Sequence, residues 1–340
     1  MTELRSRRRE TRTLGVVGTL VWDTILHRDG RAEPVTEWGG IGYALEALTV
    51  ALPENWDILP LVKVGKDLSQ EAFGFLRGLP RVLTEPGVMV VPASNNRVEM
   101  HYLGQERQTE RLTGGVPPWA WNELGPLMGL CDALYINFIS GFEMELETAK
   151  SLRIGFPGPI YADLHSLFLG IGPDGDRIPC PLPHWAEWMT CFDAVQMNEN
   201  EFELLGRAHG DPWKLAADMV GTDPKLIAVT LGSRGATYVA GAEFRSDPFM
   251  WAQLRGCLAA PGPVRSAKLD AVEVTSADGD PTGCGDVWGA SCFAHLLSGK
   301  SLEQAMSNAI RMAARNVEHR GARGLGLHLT SRVHPGSGSS

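Results

Sequence analysis

The sequence has no Cys-x-x-Cys pair. Its six cysteines, Cys131, Cys180, Cys191, Cys257, Cys284 and Cys292, are irregularly spaced across 340 residues. Neither a zinc site nor a disulfide scaffold is suggested, and the thiols read as reduced, in a cytoplasmic protein. No apolar run approaches the ~18 residues that a membrane span needs. The charged N-terminus is not followed by the apolar stretch of a secretory signal. Positive charge is scarce: 31 Lys and Arg against 40 Asp and Glu leave a net charge of −9. No nucleic-acid partner is expected from that balance. The one basic cluster, Arg5, Arg7, Arg8 and Arg9, lies in a polar end segment. No Pro/Gly/Ser linker and no internal repeat divides the chain. Residues 14–330 are therefore expected to form one domain, with flexible tails at 1–13 and 331–340. Gly-x-Ser-x-Gly and His-Glu-x-x-His are also missing, which argues against common hydrolase sites.

Hydrophobic residues make up 44% and charged residues 21%, ordinary for a globular chain able to bury a large α/β core. Apolar runs at 14–21, 132–139, 159–165, 193–198 and 225–231 read as buried parallel strands. Ligands of open α/β sheets bind beyond the carboxyl ends of the strands. That rule nominates Asp23, Asn137 and Asp163. His165, near one such end, is expected to be a satisfied structural group. Segments 22–38 and 88–112 have the look of β-hairpins, with Asn95-Asn96 turning between Val88–Val91 and Arg97–Tyr102. Asn198 and Glu201 have the spacing of a helix-capping pair. Thr230 to Gly235 is a glycine-rich turn between two strand-like runs.

The chemistry concentrates at Gly279-Asp280-Pro281-Thr282-Gly283-Cys284-Gly285-Asp286, which runs into a helical pattern marked by Val287, Ala290, Ala294 and Leu297. A helix start carries unsatisfied N–H groups and the positive end of the macrodipole. Glycines there let an anion, phosphate above all, approach the backbone. Asp286 would repel a phosphate. It suits the removal of a proton from a hydroxyl that attacks one.

This stretch resembles the Asp-Thr-x-Gly-Ala-Gly-Asp signature of the ribokinase (PfkB carbohydrate kinase) family, with Pro281 in place of a threonine and Cys284 in place of alanine. Four weaker motifs follow the family's order: Gly39-Gly40, Val64 to Asp67, Asn198 to Glu201, and Thr230 to Gly235. The resemblance implies a mostly parallel central sheet flanked by helices on both faces, with a small β-lid at about 22–38 and 88–112. It implies ATP-dependent phosphorylation of a hydroxyl on a sugar or sugar-like molecule. The alternatives are a nucleoside kinase or a catalytically silent, metabolite-binding relative. Asp286 takes the role of base, and the amides of Gly283, Cys284 and Gly285 form the anion hole. Asp23, Gly39, Gly40, Arg97, Asn137 and Asp163 are expected at the acceptor. Asn198, Thr230, Gly232, Gly235 and Asn308 are expected at the nucleotide. Glu201 is tied to Mg²⁺, chiefly through water, and Asp280 to a monovalent cation such as K⁺. A homodimer through the lid is a further implication. Two departures stand out: the family's sugar-binding asparagine is Ala44, and a position that is lysine in ribokinase is Ile41. An apolar Ile41/Ala44 pocket for a nucleobase is one reading of them. Cys284, at a helix start, is expected to be a candidate redox-sensitive thiol.

Overall fold

The computed structural model describes residues 11–27, 35–103, 106–207, 210–220, 222–256, 263–274 and 279–331. The arginine cluster, Cys257 and the final tail lie outside them. Among the described residues, fifteen strands alternate with helices: β1 (Arg12–Val17), β2 (Leu20–His27), β3 (Val35–Gly40), β4 (Trp56–Gly65), β5 (Val88–Val91), β6 (Arg97–Leu103), β7 (Glu106–Thr113), β8 (Ala133–Asn137), β9 (Ile160–Asp163), β10 (Leu169–Ile171), β11 (Arg177–Pro179), β12 (Ala194–Asn198), β13 (Leu226–Thr230), β14 (Ala236–Ala240) and β15 (Arg265–Leu269).

Nine of these form one sheet in the order β15-β14-β13-β12-β9-β8-β1-β4-β5. Pairing is parallel from β5 to β13 and antiparallel only at β14 and β15. The strands read as continuous apolar runs because both faces are covered. Successive residues still alternate between two cores, as the pleat requires. Tyr135, Tyr161 and Ala194 face one core, with the helices Ile41–Ala51, Cys284–Leu297 and Leu302–Asn316. Leu134, Ile160 and Val195 face the other, with the helices Leu146–Gly155 and Glu199–Gly206. A fully buried Leu, Ile or Phe contributes roughly 1.5–3 kcal/mol, so both layers are needed. The chain leaves β1 for β4 on one side and later returns to β8 on the other. That reversal of strand order opens a crevice at the carboxyl ends of β1 and β8.

The lid is a second sheet, β3-β2-β6-β7. Val21, Ile25, Val98, Met100 and Leu112 form its own small core, with Ile139 and Phe142 against it. Two sequence expectations need correction here. The apolar run 14–21 is two strands, because the chain breaks at Gly18-Thr19 and β2 leaves the central sheet for the lid. Asp23 is thus a lid residue, not the end of a central strand. Val88–Val91 is not lid material: β5 pairs parallel with β4 at the sheet edge. The lid hairpin is β6–β7. Asn95 anchors that hairpin to the sheet. Its side chain accepts from Gly65 N at 2.9 Å and donates to Leu20 O at 3.0 Å, and its own N–H reaches Asp67 Oδ1 at 2.8 Å.

Candidate active site

The loop before Gly283 is held by backbone and carboxamide contacts. Asp280 N donates to Val317 O at 2.8 Å, Thr282 N to Asp280 Oδ1 at 2.9 Å, and Asn316 Nδ2 to Thr282 O at 2.8 Å. Gly283 then caps the helix Cys284–Leu297 in the left-handed region, φ 77°, with no side-chain cap. A Cβ there would lie 2.3 Å from the Tyr43 ring, so conformation and space both demand glycine. Around Gly285 nothing lies within 4 Å of a Cβ's place, so its backbone is open to a ligand. Of the three amides expected in the anion hole, Cys284 N–H already donates to Pro281 O at 3.1 Å.

Asp286 lies in the first helical turn, and Asn137 Nδ2 donates to its Oδ1 at 2.7 Å. Asn137 is fully buried at the end of β8 and does not line the cavity. It orients Asp286 and has no surface to offer an acceptor, which corrects the expectation of a substrate contact.

A cavity of about 360 Å³ lies between this helix start and the lid. Asp23, Gly40, Asp163, Asn198, Glu201, Thr230, Gly232 and Gly283 to Asp286 all line it. Gly39 lies directly behind: a Cβ would sit 1.6 Å from Asp23 Oδ2. Arg97 is not part of the wall. It pairs with Asp67 Oδ2 at 2.7 Å and donates to Asn95 O. Ile41 and Ala44 do not line it either; both are fully buried in the core. The residue of that helix turn that reaches the cavity is Tyr43. The apolar wall comes instead from Val21, Val98, Met100 and Ile139, so the expected Ile41/Ala44 pocket does not exist.

Three polar lining residues were not singled out from the sequence: Tyr43, Gln196 and Glu110. Gln196 Nε2 donates to Asp163 Oδ2 at 2.9 Å and to Gly285 O at 3.1 Å, tying the end of β9 to the helix start. Glu110 occupies the inward face of β7 two residues before Leu112. The strand alternation that buries Leu112 marked that position.

Burial pushes the Asp163 carboxyl up to about 8; Asp286 and Glu201 add to this, and His165 opposes it. A raised carboxyl pKa makes the folded state bind a proton that the unfolded state has released. Stability contributed at this site is therefore lost as pH rises from the ordinary carboxyl range to about 8. Denaturant titrations are expected to show wild type falling relative to Asp163→Asn between pH 5 and pH 8.5. A constant difference across that range would contradict the shift.

A second cavity, about 520 Å³, adjoins the first. Ile310, Ala313, Ala314 and Val317 of one helix face line it, opposite Val272, Val274 and Trp288. Thr230, Gly232 and Gly235 border it, and Thr230, Gly232, Pro281, Cys284 and Gly285 line both cavities. Asn308 borders neither. It accepts from Arg311 at 3.1 Å on an outer face, because the helical period places 310, 313, 314 and 317 inward and 308 away.

Asn198 and Glu201 form the capping box expected from their spacing: Glu201 N donates to Asn198 Oδ1 at 3.0 Å and Asn198 N to Glu201 Oε2 at 2.7 Å. Glu201 Oε1 also meets Asn198 Nδ2 and, at 2.6 Å, His165 Nδ1. Both oxygens are thus engaged within the protein. His165 serves the structural role expected of it and also lines the cavity. Asp280 differs: it is 3% exposed, and its Oδ2 has no hydrogen-bond partner among the described residues. Among the described residues no group of three or more His, Cys, Asp or Glu is arranged around a common metal position.

Cys284 is not the activated thiol its place at a helix start suggested. Burial pushes its pKa up to about 12, and Sγ sits between Ala313 O at 3.5 Å and Asn316 Nδ2 at 3.3 Å. Thiolate is the reactive form. Iodoacetamide at pH 7.5 is therefore expected to leave Cys284 unmodified on the timescale that labels a free thiol, as peptide mass mapping would show.

Residues 176–327 match the family model described as pfkB family carbohydrate kinase. No curated protein matches the sequence. Among solved structures, a ribokinase from Thermotoga maritima is 18% identical with a TM-score of 0.65, covering 93% of this chain and 97% of that one. A pyrophosphate-dependent kinase in the ribokinase family is 17% identical with a TM-score of 0.67, covering 93% and 99%. A Burkholderia thailandensis nucleoside kinase, solved in complex with inosine, is 15% identical with a TM-score of 0.66, covering 92% and 94%. The fold is ribokinase-like: a mostly parallel central sheet between helices, with a small lid sheet. The resemblance to the PfkB family read from the sequence stands.

Proposed function

We propose that the protein transfers the γ-phosphoryl group of ATP to a hydroxyl of a small sugar-like molecule. The observation that carries this reading is the meeting of two cavities at one helix start, with Cys284 and Gly285 at the junction and Asp286 on its lid-side wall. The acceptor enters the cavity under the lid and ATP the neighbouring one. Asp286 removes the hydroxyl proton, the freed oxygen attacks the γ-phosphorus in line, and ADP leaves. The helix dipole and the backbone at Gly283 and Gly285 offset the charge on the transferring group. Asn137 holds the carboxylate in its orientation. The apolar wall of the second cavity suits a nucleobase, which favours ATP over pyrophosphate as donor.

Mg²⁺, as in such reactions generally, would neutralise phosphate charge. Glu201, with both oxygens engaged, fits it through water, in keeping with the few protein ligands that ion takes. The unpartnered Oδ2 of buried Asp280 fits a monovalent cation. A nucleoside acceptor is the second reading, favoured by the apolar wall of Val21, Val98, Met100 and Ile139. ADP release with ATP or pyrophosphate against a panel of sugars and nucleosides tests all of this. Donor binding without turnover on any acceptor would point to a catalytically silent relative, and no donor binding would end the reading.

A further inference from the structure

Resting on the kinase reading, we infer that Gln196 is a positioning residue for phosphoryl transfer: its carboxamide, together with that of Asn137, sets Gly285 and Asp286 against the strand ends. The register of three parallel strands carries this. Tyr135, Tyr161 and Ala194 lie side by side on β8, β9 and β12, and Asn137, Asp163 and Gln196 lie side by side two residues further on. A period of two puts the second row on the same face as the first, toward the helix Cys284–Leu297. Apolar side chains would be the ordinary filling of that face. Three buried polar ones end it instead.

Two of them bond directly to the helix start. Asn137 Nδ2 donates to Asp286 Oδ1 at 2.7 Å. Gln196 Nε2 donates to Gly285 O at 3.1 Å and to Asp163 Oδ2 at 2.9 Å, while Gln196 Oε1 accepts from Tyr161 Oη at 3.2 Å. Turning the amide over would set Oε1 against Gly285 O, acceptor against acceptor, so one orientation is fixed. The helix touches the same side chain one turn later: a Cβ on Gly289 would lie 2.2 Å from Gln196 Oε1 and 2.7 Å from Tyr135 Oη. Asn137 and Gln196 thus hold consecutive residues from strands on either side of β9. Gly285 borders both cavities and Asp286 the lid-side one, so slack in either hold moves the phosphate-binding backbone against the base. Gln196 does not border the second cavity, and its Nε2 already serves two protein acceptors. Its loss is therefore expected to act on the transition state more than on the binding of either substrate.

The test compares Gln196→Met, which keeps the side-chain volume and removes the donors, with Gln196→Glu, which keeps the shape. Turnover is read with ATP and D-ribose or inosine. Gln196→Met is expected to lower kcat by about tenfold to 10²-fold, the cost of a reacting group misplaced by about 1 Å, with acceptor KM and ATP Kd within about threefold of wild type. In Gln196→Glu the new acid adjoins Asp163, and the pair takes up protons as pH falls. Its kcat relative to wild type is expected to rise from about pH 9 to about pH 6, as a carboxyl O–H restores one donor, while the ratio for Gln196→Met stays flat. A merely structural side chain would not produce that difference. A third arm needs no acceptor: ADP with Mg²⁺ and aluminium fluoride, a mimic of the group in transfer, is expected to bind Gln196→Met less tightly by the same factor, while ADP alone binds as before. Should Gln196→Met not fold, Gln196→Glu and its pH dependence carry the test. A kcat for Gln196→Met equal to wild type, a loss confined to KM, or a Gln196→Glu ratio that ignores pH overturns the inference. A wild type that transfers to no acceptor, yet loses aluminium fluoride binding in Gln196→Met, defeats the kinase reading alone. An active wild type matched by Gln196→Met defeats this inference alone.

Discussion

Asp286→Asn is expected to lower turnover by about 10²- to 10⁴-fold, the range for loss of a positioned base, with ATP affinity nearly unchanged. The side chain points from the first helical turn into the acceptor cavity, while the second cavity is lined by neighbouring residues and not by Asp286. Base and donor site are thus separable by mutation. Single-turnover kinetics beside a nucleotide titration make the check. Turnover equal to wild type would remove Asp286 from the mechanism, and a parallel loss of ATP binding would recast it as structural. Asn137→Ala acts on the same atom indirectly. Without the 2.7 Å hydrogen bond the carboxylate can turn, and a misplacement of that kind costs up to about 10²-fold.

Gly283→Ala is expected to be the most damaging small substitution at the site. The residue has φ 77°, where a side chain costs roughly 1–2 kcal/mol. Its new methyl would also fall 2.3 Å from Tyr43, itself 2% exposed and unable to retreat into the core. The helix start or Tyr43 must move, and both cavity and melting temperature suffer. Gly285→Ala is the control. Nothing lies within 4 Å of its methyl, so the fold should hold while KM for ATP rises, the methyl standing where phosphate approaches. Differential scanning calorimetry together with steady-state kinetics separates the two. Equal stability losses at both positions would contradict the geometry described for Gly283.

The helix start was legible because its parts are local: glycines, an acid and an apolar period in one run of the chain. The capping box was legible for the same reason, its two members being three residues apart. What failed was long-range or phase-dependent. The break at Gly18-Thr19 is invisible in a continuous apolar run, so Asp23 was assigned to the wrong sheet. Burial alternates there, with Val21, Asp23 and Ile25 inside and Trp22 and Thr24 less so, but an acid on the inner face and a tryptophan on the outer one hide that period in the sequence. Asn308 lies on the helix face away from Ala313, a phase that the resemblance to a family motif does not carry. Arg97 was expected at the acceptor because its strand belongs to the lid; its partner Asp67, 30 residues away, leaves no local mark in the sequence. Tyr43 faces the cavity while Ile41 and Ala44, which depart from the family pattern, lie in the core, a difference of helix phase and not of residue type.

The buried carboxylate of Glu46 accepts the amides of Gly324 at 2.9 Å and Gly326 at 2.8 Å, across sequence separations of 278 and 280 residues. The helix Ile41–Ala51 also packs on Cys284–Leu297. During synthesis this early helix therefore keeps an apolar flank and an unsatisfied acid until residues 324–326 have emerged, a long-range closure of the kind that leaves intermediates open to aggregation.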